Sequence, residues 1–173
     1  MNVMVEDKRA AFEPDSENTR LLRDAFGRFA TGVTIVTAMT KDGPIAITAN
    51  SFSSLSLTPA LILWSPDKGS KRFPFFEAAQ DYAIHVLAES QEEICWRIAK
   101  DGYGLKSEDY SLNAAGVPVL NDSLACFECK QRSVVDGGDH AIVVGEVMKA
   151  TFDNTRKGIC FFGGQMGEFV PKN

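Results

Sequence analysis

Two histidines and four cysteines are the side chains of this chain most readily recruited for proton transfer near neutral pH or for thiolate chemistry. Cys126 and Cys129 have the spacing of half a zinc site, but a zinc ribbon needs a second pair, and Cys95 and Cys160 stand alone. Packed thiols are the expectation. His85 alternates with Ile84 and Val86 in a strand-like run and reads as a tucked-in polar residue. His140 follows the acidic, glycine-rich stretch Asp136-Gly137-Gly138-Asp139. It stands at the mouth of a hairpin, where an imidazole can meet a ligand, and is the better candidate for chemistry. No G-x-G-x-x-G follows the first strand and no glycine-rich loop ends in Gly-Lys-Ser or Gly-Lys-Thr, which removes the Rossmann and P-loop nucleotide sites. The glycines between Gly163 and Gly167 lie between two short strands and read as a hairpin turn rather than a phosphate cradle.

A second chemical feature is an absence of charge. From Gly43 to Pro66 there is no charged residue. The length would suit a membrane span, but Thr48, Asn50, Ser51, Ser53, Ser54, Ser56, Thr58 and Ser65 load the stretch with hydrogen-bonding groups, and Pro59 interrupts it. Buried, polar and uncharged is the better description.

The elements that must position these residues are mostly strands. A helix carrying Leu21, Leu22, Ala25, Phe26 and Phe29 on one side follows Asn18 and Thr19, either of which could cap it. Val33 to Thr40 and Ile45 to Ser51 read as a hairpin around Lys41-Asp42-Gly43-Pro44, and Ala60 to Ser65 as a buried strand between prolines. Phe73 to Ala79 reads as a short helix and Tyr82 to Leu87 as a strand. Ser90-Gln91-Glu92-Glu93 is a capping-box pattern opening a helix that closes at Asp101-Gly102. Tyr103 to Asp122 lacks periodicity and reads as a surface excursion. Leu124 to Val135 and His140 to Phe152 read as paired strands, with Ile159 to Phe162 and Glu168 to Val170 as two short ones. Strands that follow one another directly disfavour a doubly wound parallel sheet. The expected fold is mainly β, a closed or partly open antiparallel barrel with two or three peripheral α-helices.

The chain has 173 residues, 45% hydrophobic and 24% charged, the composition of one ordinary globular domain able to bury a full core. The expected division is a loose acidic arm over residues 1–18 and one domain over 19–173. Net charge is −5 and no block of basic residues occurs, which argues against nucleic-acid or anionic-membrane surfaces. The arm lacks the apolar stretch of a secretory signal, so a cytoplasmic protein with reduced thiols is expected.

The sequence resembles the flavin reductase-like family, the reductase components of two-component flavin monooxygenases, which share the FMN-binding split barrel. The resemblance runs from Phe26 to Phe169. It is carried by Gly27-Arg28-Phe29-Ala30-Thr31-Gly32-Val33-Thr34-Ile35-Val36-Thr37, by Thr48-Ala49-Asn50-Ser51-Phe52-Ser53-Ser54, by Pro59 before Leu61-Ile62-Leu63, and by Gly138-Asp139-His140. The resemblance implies a homodimer with flavin at the subunit interface, reduced by a nicotinamide cofactor without a Rossmann fold, and it places His140 beside the nicotinamide.

The residues agree with that implication. An oxidised isoalloxazine is planar and neutral with a polar edge, so it needs apolar walls and a few uncharged donors and acceptors. The uncharged stretch supplies both, with Thr48, Ala49, Asn50, Ser51, Phe52 and Ser54 as candidate flavin contacts and Trp64 as a candidate wall. The alternative is that these hydroxyls cap a turn and Trp64 is core. In Asp67-Lys68-Gly69-Ser70-Lys71-Arg72, Lys68 and Ser70 are the candidate phosphate ligands; a solvated charged loop is the alternative. The expected activity is hydride transfer from NADH or NADPH to FMN, with FAD possible, delivering reduced flavin to a partner monooxygenase. A stand-alone split-barrel oxidoreductase and a non-catalytic flavin- or haem-binding module are the rivals. His140 would hold the nicotinamide, or else cap its turn beside Asp139.

Overall fold

The computed structural model describes residues 11–170. In chain order they form α1 (Thr19–Phe26), β1 (Thr31–Gly32), β2 (Thr34–Thr40), β3 (Gly43–Ala49), β4 (Ser53–Leu57), β5 (Ala60–Trp64), α2 (Phe73–Ala78), β6 (Asp81–Val86), α3 (Glu92–Lys100), β7 (Tyr110–Leu112), β8 (Pro118–Leu120), β9 (Ala125–Gly137), β10 (His140–Phe152), β11 (Ile159–Phe162) and β12 (Gln165–Glu168). The expected N-terminal arm falls largely on residues 1–10, outside the described residues.

Seven strands make one antiparallel sheet in the order β3-β2-β6-β9-β10-β5-β4, which leaves β3 and β4 as unpaired edges. This is the mainly β, antiparallel, three-helix architecture expected. Its central strands read as continuous apolar or β-branched runs because they are covered on both sides: Thr34 through Ala38 of β2 are all buried. Val36 and Ala38 enter a cluster with Trp64, Phe76 and Tyr82. Ile35 enters another with Ile94, Cys95 and Ile98 of α3. The two faces of one strand therefore serve two cores, and α3 is held to β3 by burying its Ile94-Cys95-Ile98 stripe.

Three local expectations are corrected and one strand is added. Asn18 stands at the head of α1 without capping it; its Nδ2 donates to Glu13 O and its Oδ1 accepts from Asp15 N, so its polar atoms serve the preceding turn. The Ser90–Glu93 box is not formed. A tight turn over Glu89–Gln91 comes first, in which Ala88 N–H donates to Gln91 Oε1 (3.1 Å) and Gln91 Nε2 donates to Asn121 O (3.0 Å). The start of α3 is set by that tertiary bond, which no local pattern contains. Ser53–Leu57, to which the sequence pattern assigns no element, is a strand with a register shift between Ser54 and Ser56. Beyond the helix, residues 103–122 hold the β7–β8 hairpin, bury Val117 and Leu120, and are tied to α3 by a bidentate Arg97–Asp109 pair at 2.9 and 3.0 Å.

His85 is buried as expected and fully bonded. Its Nδ1 lies 3.0 Å from Ile35 O and its Nε2 accepts from Leu120 N at 3.1 Å. Those partners require the neutral ring with the proton on Nδ1. Burial pushes its pKa down to about 4, against an opposing pull from the Ile35 carbonyl and Glu128. Cys126 and Cys129, three apart on β9, belong to different clusters, one with Ala83 and Val117 and the other with Tyr82 and Val143. Burial pushes both thiols up to about 12, as for packed thiols.

Candidate functional site

The free edge of β3 is where the sheet offers backbone groups to a ligand. Ala46 N–H points outward and donates to Gly102 O at 2.8 Å. By strand alternation the Thr48 N–H and C=O point to the same open edge. The Thr48 side chain is occupied elsewhere, its hydroxyl donating to Cys95 O at 3.1 Å and tying the strand to α3.

Along this edge lies an apolar cavity of about 300 Å³. Thr48, Ala49 and Asn50 form its floor, Cys95, Trp96 and Ala99 of α3 one wall, and Phe161, Gly164 and Met166 of the β11–β12 hairpin the other. The hairpin turns at Gly163 and Gly164 with φ of 57° and 82°, left-handed values that glycine adopts without cost in a two-residue turn. Trp96 projects off the buried stripe of α3, 54% exposed, with its indole N–H donating to Glu92 at 3.2 Å.

A second cavity, about 460 Å³, adjoins it and shares Thr48 and Ala99. Its walls carry Ser70, Lys71 and Arg72, with Asp67 at one side. Asp67 is turned into its own loop, accepting from Gly69 N at 2.7 Å. Ser70 Oγ accepts from Arg72 N at 3.2 Å, which leaves its own proton to donate outward. Arg72 Nη2 donates to Ala99 O at 3.1 Å. Partial burial lowers its pKa and Asp101 opposes the shift; a guanidinium remains cationic in either case. Among the described residues neither Lys71 nor Arg72 is in an ion pair. An apolar slot with a neutral polar edge, beside a cavity carrying a hydroxyl and two cations, fits a flat neutral ring carrying an anionic tail.

Of the sequence candidates, Thr48, Ala49, Asn50 and Ser70 are brought together here. The others stand elsewhere. Ser51 Oγ accepts from Ser65 N (2.9 Å) and donates to Ser65 O (3.0 Å), clamping the end of β3 to the end of β5. Phe52 stacks on Phe127 at 5.5 Å, and Ser54 is exposed on β4. Trp64 is 1% exposed and packs edge-on against Phe76, so it is core and walls neither cavity. Lys68 is turned away from the basic cavity: its ammonium bonds Asp136 and Gly138 O, and its backbone N–H donates to Asp139 O. The acidic β9–β10 turn draws it off, and Lys71 and Arg72 take the place expected of it. His140 lies on neither cavity wall. Its imidazole is 45% exposed and bonds Asp139 at 2.8 Å, while its backbone bridges to Asp67 at the edge of the basic cavity. Sequence reasoning missed Trp96, Phe161 and Met166. Trp96 left a signal, a large aromatic among the polar positions of an amphipathic helix.

The model of the Flavin reductase like domain matches residues 26–169. The chain is 48% identical over 158 residues to the FMN reductase (NADH) SmoA of Agrobacterium fabrum, covering 91% of this chain and 90% of that one. It is 33% identical to the flavin-dependent monooxygenase reductase subunit HsaB of Rhodococcus jostii, covering 93% and 83%. The NADH:FAD oxidoreductase SgcE6 of Streptomyces globisporus superposes with a TM-score of 0.86 at 35% identity, covering 95% of each chain; it has also been solved with NAD and FAD fragments. From residue 26 to residue 169, then, this chain belongs to the flavin reductase like family.

Proposed function

We propose that this chain is an NAD(P)H-dependent flavin reductase that seats FMN, or the FMN portion of FAD, across the two adjoining cavities. The observation that carries this is that the apolar slot and the basic cavity share Thr48 and Ala99 in their walls. When bound, the flavin supplies the hydride-accepting ring, and the nicotinamide supplies the hydride. The protein's part is positioning. The open β3 edge at Thr48 and the Asn50 side chain hold the polar rim of the ring, Trp96, Phe161 and Met166 exclude water from its faces, and Ser70, Lys71 and Arg72 hold the phosphate. His140, exposed at the edge of the basic cavity, is assigned to orient the nicotinamide without transferring a proton.

Assembly is part of the same reading. No residue of α1 is buried, and Leu21, Phe26 and Phe29 are 48, 69 and 78% exposed. An apolar side of α1 at Leu21 and Phe26, continued by Phe29 beyond the helix and uncovered among the described residues, supports a homodimer whose second copy covers it. The naming of HsaB as a monooxygenase reductase subunit supports delivery of reduced flavin to a partner monooxygenase. Among the described residues no helix is long and apolar enough to cross a membrane, in keeping with a cytoplasmic setting for that exchange.

The test is anaerobic stopped-flow mixing of the protein and FMN with NADH and with NADPH. Bleaching of the flavin band under one or both is expected. A yellow complex that neither reduces would overturn the assignment.

A further inference from the structure

The basic cavity depends on a residue that does not line it. Gly102 follows α3, and a Cβ built there would lie 2.7 Å from Arg72 Nε and 2.9 Å from its Cδ. These are atoms in the middle of the side chain, fixed further out by the Nη2 bond to Ala99 O, so the arginine cannot step aside while keeping that bond. No positive φ explains the glycine: the glycines in left-handed conformation are Gly43, Gly116, Gly138, Gly163 and Gly164. Gly102 is needed for space, and the space is filled by Arg72.

We infer that Gly102 is a positioning residue for phosphate recognition: it lets Arg72 cross the end of α3 and hold its guanidinium, anchored on Ala99 O, toward a phosphate in the cavity beside Ser70 and Lys71. This rests on the proposed seating of FMN. A guanidinium already ordered by a carbonyl loses less side-chain freedom on binding an anion than a mobile lysine would. The contribution falls on the phosphate alone, so it separates FMN from riboflavin, which has the same ring and no phosphate.

The experiment measures FMN and riboflavin dissociation constants by flavin fluorescence for wild type, Gly102→Ala, Arg72→Ala and the double variant. The expected result is that Gly102→Ala and Arg72→Ala each weaken FMN by roughly tenfold while riboflavin changes little, and that the double variant is no worse than Arg72→Ala. If Arg72→Ala is selective for FMN but Gly102→Ala is not, or if the two losses multiply, the positioning role of Gly102 is overturned and the phosphate site stands. If Arg72→Ala weakens both flavins equally or neither, the seating of the phosphate is itself wrong, and the inference fails with it. Gly102→Ala alone could unfold, because the new Cβ also comes within 3.1 Å of Ala46 O. In that case the double variant decides: recovered folding assigns the clash to Arg72 and supports the inference, whereas a double variant that also unfolds assigns the glycine to the β3 edge and overturns it.

Discussion

Acidification should destabilise this protein through a residue that lines neither cavity. His85 is fully buried, neutral and bonded at both nitrogens, with its pKa lowered from 6.5 to about 4. The unfolded chain therefore binds a proton more readily than the folded one between those values. Stability from this group is complete above pH 6.5 and is lost as the pH falls toward 4. The full span is worth about 3 kcal/mol, and at pH 5 the loss is already about 2 kcal/mol. With a urea dependence of about 2 kcal/mol per molar, the unfolding midpoint should fall by about 1 M between pH 7.5 and pH 5. The carboxylates Asp109 and Glu128 are held below their ordinary values by Arg97 and by Lys149 with Asn113, both against burial. Their contribution fades only at lower pH, so the upper window isolates histidine. Urea titrations of wild type and His85→Gln at intervals across it would measure the slope. A wild-type midpoint that stays flat from pH 7.5 to 5, or a slope that persists unchanged in His85→Gln, would refute the reasoning.

Trp96→Ala should weaken FMN and riboflavin alike by roughly tenfold, because it removes a wall of the ring slot rather than a phosphate contact, and Trp96→Phe should restore most of the loss by the same fluorescence titration. His140→Ala should keep the fold and flavin affinity but slow NADH-driven flavin reduction by roughly tenfold or more, about 1.4 kcal/mol; unchanged stopped-flow rates at low and at saturating NADH would leave His140 as the partner of Asp139 alone. Gly145→Ala should cost about 2 kcal/mol by denaturant unfolding, since its Cβ would run into the Tyr82 hydroxyl, and Tyr82→Phe should relieve part of that cost. Asp109→Asn should remove about 2 kcal/mol by leaving the largely buried Arg97 guanidinium without its carboxylate, with residues 103–122 losing amide protection first.

Local sequence determined most of the elements. The β-branched run of β2, the proline-bracketed β5 and the Asp136–Asp139 turn were legible because alternation, burial on both faces and left-handed glycine are properties of a few neighbouring residues. The uncharged stretch marked the β3 edge that floors the apolar cavity for the same reason, since a charge in an apolar slot costs desolvation. Tertiary structure decided which of several equivalent residues line the two cavities. Lys68, Lys71 and Arg72 are alike in charge and adjacent in sequence, yet the acidic turn seventy residues away takes Lys68, and the end of α3 takes Arg72. Trp64 and Trp96 differ in the same way: one is enclosed by Phe76 and Tyr82 and the other stands in the cavity wall. Composition and periodicity describe what a segment can bury. Which partner claims a long charged or aromatic side chain depends on elements that meet only when the sheet is assembled.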